Sequence, residues 1–139
     1  MTRPEGRWET ARELAAYLGA RDLLIFIPDP EVHTLLPAPG FPQTLPGGRE
    51  WQAFLTRCAA EGAQHALLPF PSAGIRSPAV GVAEPYGSVL VLLGGAPHLA
   101  HARAAAAALP LLTAGLRGEQ AAQIAQSHIE QARAAASQA

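Results

Sequence analysis

The sequence contains no lysine and no asparagine, and it has a single cysteine, Cys58. Without lysine, a phosphate-binding loop of the Walker A type is excluded, and no Gly-x-Gly-x-x-Gly segment is present to form a dinucleotide-binding turn. One cysteine rules out an internal disulfide and fits a reducing compartment. The missing motifs exclude nucleotide binding through either of these two loops. The single cysteine favours a cytoplasmic location.

The sequence also has no marked excess of positive or negative charge, since it contains ten basic residues, all of them arginine, and eleven acidic ones. The arginines are scattered singly from Arg3 to Arg133, so no basic face for nucleic acid is expected. Apolar runs such as Val89 to Leu93 are far shorter than the about 20 residues that span a bilayer. The N-terminal segment carries charges throughout, unlike a signal peptide. We therefore expect a soluble protein without a nucleic-acid partner and without membrane insertion.

The chain has 139 residues, 49% of them hydrophobic, which predicts one domain with its own core. The pattern of its first half predicts a helix over 8–19, a buried strand over 23–28 and a short strand over 32–36. A loop rich in proline follows, and loops of this length in compact domains are often functional. The clearest amphipathic helix is predicted over 49–62. Its apolar face consists of Trp51, Phe54, Leu55 and Cys58.

The second half predicts three strands, over 65–70, 78–85 and 87–95, and then helix from Pro97 to the end. The tail over 118–139 carries a thin alanine-rich stripe. Because such a stripe has too little apolar area to be buried alone, it predicts a partner helix. The whole order predicts an α+β domain with one antiparallel sheet of five strands, and the family resemblance described next implies five to six.

This order of elements resembles the GAF domain, a sensory domain of bacterial signalling proteins. The segments that look like the family are LLIFIP, EVHTLLPAPGF and PAVGVAEPYGSVLVLLGG, at 23–28, 31–41 and 78–95. The resemblance implies terminal helices on one sheet face, and a ligand pocket with the middle helix and loops on the other. It also implies a sensory domain over 1–117 and a helical extension over 118–139 toward an output or dimerisation region.

The function that the resemblance implies is non-catalytic: an input domain of a two-component sensor histidine kinase, homodimeric through its terminal helices. Candidate ligand-binding residues are Phe41, Trp51, His65, Arg76 and Tyr86, and candidate dimerisation residues are Leu112, Leu116, Ile124 and His128. The ligand and any cofactor stay unknown. The Asn- and Lys-containing signature of cyclic-nucleotide-binding members is absent, and Cys58 is not followed by the His of bilin-binding members.

An alternative from another class is a dimeric scaffold of the roadblock or longin type, which also alternates helices around an antiparallel sheet. Strand order and an enclosed pocket would distinguish it from a GAF-like domain. A further alternative is an enzyme that uses Cys58 with His65. We expect core packing for Cys58 instead, because it completes the apolar face of its helix.

Three other histidines have ordinary explanations. His98 and His101 share a helical face, but zinc takes three or four ligands and no further one lies nearby, so a capping or solvated role is expected. His128 is followed by Ile129 and Glu130, unlike the phosphoacceptor histidine of sensor kinases. We expect His128 to face solvent or a helix–helix seam, with no metal site in the chain.

Overall fold

The computed structural model describes residues 4–32, 34–85 and 87–108, with residues 122, 125–126 and 129–134. Its elements are α1 (Pro4–Tyr17), β1 (Asp22–Pro28), β2 (Leu35–Pro37), α2 (Gly48–Glu61), β3 (Ala63–Pro69), β4 (Arg76–Ala83), β5 (Val89–Leu93) and α3 (Leu99–Ala108). Residues 129–134 are helical as well. The α+β class and the predicted order of elements are confirmed for this part of the chain.

The five strands form one sheet in the order β2-β1-β5-β4-β3, and all neighbouring strands are antiparallel. β5 is the central strand, and all five of its residues are buried, as are the five inner residues of β1. Strands covered on both faces have unbroken apolar runs, which is why these two were visible in the sequence. β2 and β3 are the edge strands.

Helix α2 lies on one face of the sheet. The rings of Trp51 and Phe26 are 5.6 Å apart between centroids, and a Cβ at Gly81 would lie 2.7 Å from the Cys58 sulfur. Because alternate residues of a strand point to opposite faces, Phe26 and Gly81 mark the α2 face and Val80 points away from it. We call the other side, to which Val80 points, the far face.

Helices α1 and α3 complete the layers. α3 packs on β4 and β5, and its first residue, Leu99, lines a groove on the far face together with Val80. α1 packs on β1, and its C-terminal end is next to α3, since the Leu18 carbonyl oxygen lies 3.0 Å from the His101 Nδ1. No helix in the described ranges is long and apolar enough to cross a membrane.

A partly buried carboxylate, Asp22, connects α1 to the start of β1. Trp8 donates its indole N–H to an Asp22 oxygen at 3.1 Å, and the Arg12 guanidinium lies 3.3 Å from the same oxygen. Burial raises the pKa of Asp22, while Arg12 and the bond from Trp8 act in the opposite direction. The ionised form of Asp22 is therefore disfavoured in the folded state.

Several boundaries differ from the sequence prediction. β2 begins at Leu35 rather than at residue 32, because Asp29 accepts the backbone N–H groups of Glu31 and Val32 and so closes a turn there. α1 begins at Pro4, four residues before the predicted start, and proline suits the first turn of a helix. The predicted boundary between 1–117 and 118–139 lies outside the described residues.

Candidate interaction site

Aromatic side chains fill the space between α2 and the sheet around Trp51. Trp51 is buried and stands edge-on to Phe54 and Phe70, with ring centroids 6.4 and 6.3 Å away. Its indole N–H donates to the Pro69 carbonyl oxygen at 2.9 Å, so its one polar group is satisfied. Trp51 therefore acts as a core residue that fixes α2 on the sheet.

α2 approaches the sheet closely at Gly81 of β4. An added Cβ there would lie 2.7 Å from the Cys58 sulfur and 2.9 Å from the Phe54 ring, distances that real Cβ atoms do not show. Only a residue without a side chain fits at this distance. The structure thus leaves no room for a ligand between α2 and β4, where the GAF resemblance implies a pocket.

The four predicted ligand-binding residues that the structure describes do not meet in one cavity. Phe41 and Trp51 are in the core, and Arg76 is exposed at the start of β4, where it forms a 2.6 Å ion pair with Glu50. His65 is exposed on the far face and lines the groove described next. Tyr86 lies outside the described residues, as do all four predicted dimerisation residues, Leu112, Leu116, Ile124 and His128.

An open apolar groove of about 570 Å³ lies on the far face between β3 and the start of α3. Among the described elements, α3 packs on β4 and β5 and leaves the outer strand, β3, exposed at His65 and Leu67. Leu67 of β3 is 62% exposed and Leu99 of α3 is 38% exposed, although both are large apolar residues. The exposed residues of the groove lining are His65, Leu67, His98 and Leu99.

Beside this groove runs the outer edge of β3, which pairs with no other strand in the described part of the chain and which we call the free edge. The direction of its backbone N–H and C=O groups follows from the register of β3 with β4. The N–H of Phe70 donates to the Ile75 carbonyl and that of Ala83 to the Gly62 carbonyl, in register with the strand pairs. Antiparallel ladders alternate between pairs that exchange hydrogen bonds and pairs that do not. Residues 64, 66 and 68 therefore bond to β4, and residues 63, 65 and 67 direct their N–H and C=O groups to the free edge.

The free edge lacks the features that normally prevent strand pairing. Edge strands are commonly short, or carry charged residues or proline. β2 follows this rule, since it has three residues and ends at Pro37. β3 has seven residues, none of them Asp, Glu, Lys or Arg, and its proline stands only at the last position. We define the interaction site as this edge, Ala63–Pro69, with the groove beside it.

The histidines at the start of α3 cap backbone groups. His98 Nδ1 accepts the Ala100 backbone N–H at 3.1 Å, and His101 Nδ1 lies 3.0 Å from the Leu18 carbonyl oxygen. The predicted capping role is confirmed for His98, whose ring closes the first turn of the helix. The described residues contain no cluster of three or more side chains that could hold a metal ion.

Cys58 and His65 cannot act as a nucleophile and its base. The Cys58 sulfur approaches Gly81 on the α2 face, whereas His65 is paired with Val80 and points to the far face. Burial also raises the pKa of Cys58 to about 11, so its thiol stays protonated at neutral pH. The expectation of core packing for Cys58 is confirmed.

Comparison of the chain with models of protein families, with curated proteins and with solved structures finds no match. The GAF resemblance therefore stands on the order of elements and on the antiparallel sheet. A second open hollow, of about 420 Å³, lies beside α2 and is lined by Leu35, Gln52 and Thr56 among others. Function has to be inferred from the packed core around Trp51, from these two open sites and from the free edge of β3.

Proposed function

We propose that the chain is a non-catalytic regulatory module of a cytoplasmic signal-transduction protein, and that it works by binding another polypeptide chain. One observation carries this proposal: a seven-residue uncharged strand edge lies beside an open apolar groove. A strand edge with unpaired N–H and C=O groups is a template for a further strand, and apolar side chains in an adjoining groove add affinity.

A GAF-like input domain of a sensor histidine kinase is the first version of this proposal. It is supported by the order of the elements and by an antiparallel sheet with α2 on one face and α3 on the other. In this version, the domain signals through terminal helices that pair in a homodimer. A small ligand would then bind in the groove on the far face, which is larger than the hollow of about 420 Å³ beside α2, because aromatic side chains fill the core around Trp51.

The second version is a dimeric scaffold of the roadblock or longin type, which needs no ligand. The packing of α2 favours it, because an enclosed pocket is the feature expected of a GAF-like sensor. In the described residues, Gly81 brings α2 into direct contact with β4, and the groove is open along one side. Both versions share a non-catalytic module that acts through protein contacts.

Native mass spectrometry of the full chain, purified from its own host, tests the proposal. One small molecule retained per chain would support the GAF-like sensor, and ligand-free complexes of defined stoichiometry would support the scaffold. A ligand-free monomer that associates with no protein at high micromolar concentration would contradict the proposed function. Sedimentation velocity of the same sample provides the independent measure of mass.

A further inference from the structure

We infer that the partner at the free edge of β3 is the β3 strand of a second copy of this chain, so that two five-stranded sheets join into one continuous sheet. This inference rests on the proposed function and names the partner at the interaction site. The pattern of hydrogen-bonding groups, the charges at the two ends of the strand and the position of the groove each support it.

The hydrogen-bonding groups of the edge are complementary to themselves. Ala63, His65 and Leu67 direct their N–H and C=O groups outward, as the register of β3 with β4 requires. A two-fold axis at His65 places each of these residues opposite an outward-facing residue of the second strand. Every outward N–H then meets a C=O, as in any antiparallel ladder.

The charges at the edge suit this antiparallel arrangement. No charged side chain lies within β3, so two copies do not repel each other there. Glu61 stands just before the strand, and Arg76 pairs with Pro69 at its other end. A two-fold axis brings Glu61 of one copy to the Arg76 end of the other. Arg76 already binds Glu50, and the five N–H donors of its guanidinium allow a second carboxylate.

Pairing of the two β3 edges would bury apolar surface of the groove. Leu67 lies on the far face of β3, 62% exposed, and none of the helices α1 to α3 covers it. In the two-fold arrangement Leu67 stands opposite Ala63 of the second strand, on the same face, where cross-strand side chains make contact. The two grooves meet above the paired strands and form one trough with α3 of each copy as its walls.

Sedimentation equilibrium of the full chain, of Leu67→Arg and of Tyr17→Arg tests the inference. We expect a dimer for the unaltered chain and for Tyr17→Arg. The dimer dissociation constant of Leu67→Arg should be at least about tenfold larger, because a charge on an edge strand opposes pairing. Tyr17 is the matched control, since it is 89% exposed on α1, far from β3 in the sheet order. Circular dichroism should show all three proteins folded.

Disulfide trapping tests the register. A two-fold axis at His65 places the two Cα atoms about 5.5 Å apart, which a disulfide can span. His65→Cys should therefore give a covalent dimer on mild oxidation, and Ser72→Cys, in the exposed turn after β3, should not. Cys58 is buried and can be left in place in both variants.

A monomeric unaltered chain at high micromolar concentration would overturn the inference, as would a Leu67→Arg protein that dimerises as well as Tyr17→Arg. A dimer that survives Leu67→Arg but is lost when the chain ends at residue 117 would assign dimerisation to the terminal helices. A ligand-free monomer that binds a different protein would contradict this inference alone. A ligand-free monomer that binds nothing would contradict the proposed function as well.

Discussion

Replacing Gly81 with alanine tests directly whether α2 rests on the sheet. The added Cβ would lie 2.7 Å from the Cys58 sulfur, 2.9 Å from one Phe54 ring atom and 3.0 Å from another. Both neighbours are fully buried and belong to one helix, so relief requires a shift of α2. Overpacking of this kind costs about 1–3 kcal/mol. Alanine regains about 0.5–1 kcal/mol over glycine through chain entropy.

The net expectation for Gly81→Ala is a loss of about 1–2 kcal/mol in the free energy of unfolding. For a domain of this size that loss corresponds to a decrease of about 4–8 °C in Tm. Urea unfolding followed by tryptophan fluorescence measures it. Gly48→Ala is the matched control in α2, because nothing lies within 4 Å of an added Cβ there, and its stability should be unchanged or slightly higher.

A double-mutant cycle with Cys58→Ala identifies the contact. Removing the sulfur should relieve part of the clash, so the double variant should be more stable than the sum of the single losses by about 1 kcal/mol. If Gly81→Ala is neutral or stabilising, or if the two losses add to within about 0.5 kcal/mol, α2 does not rest on Gly81. Space for a ligand would then exist on the α2 face, and the preference for a ligand-free scaffold would lose its basis.

Three further predictions follow from the core and from α1. The Cys58 thiol should resist alkylation by iodoacetamide in the native protein and react in urea, as measured by mass, because burial raises its pKa to about 11. Trp51→Phe should cost about 2–3 kcal/mol in urea unfolding, since it leaves the buried Pro69 carbonyl without its donor. Because the folded state raises the pKa of Asp22 above 3.8, the stability gained from protonated Asp22 is present below that pH and is lost as pH rises through the folded-state value. Asp22→Asn should remove this pH dependence from urea unfolding.

Each of these predictions has an outcome that would contradict it. Rapid alkylation of native protein would place the Cys58 thiol in contact with solvent. A loss for Trp51→Phe no larger than that for Trp8→Phe, whose indole is only partly buried, would remove Trp51 from the centre of the core. Parallel pH profiles for the unaltered protein and Asp22→Asn above pH 3.8 would mean that burial does not control Asp22.

The sequence predicted those elements whose signal is local. α2 was expected over 49–62 and runs from Gly48 to Glu61, because its apolar residues repeat with the helical period. β1 and β5 were visible as unbroken apolar runs. The start of β2 was missed because the turn that precedes it depends on hydrogen bonds to the Asp29 side chain. The alternation of apolar and polar residues, from which a strand is predicted, does not show such side-chain hydrogen bonds.

The candidate site was predicted only in part. His65 was identified and lines the groove, but Phe41 and Trp51, which were expected near a ligand, are core residues. An aromatic residue on an amphipathic face has the same spacing whether it fills a core or lines a pocket. The free edge was missed because it depends on strand order, which brings together segments distant in sequence. The absence of charge in AQHALLP was the one local signal available.

Amide hydrogen exchange in β3, followed by NMR at high and low protein concentration, tests the central claim most directly. In the structure, Gln64 and Ala66 bond to β4, whereas Ala63, His65 and Leu67 direct their amides to the free edge. We expect the first two amides to be protected at both concentrations, and the other three to be protected only at high concentration, where the β3 edge is paired. Fast exchange of the three outward amides at both concentrations would contradict the account.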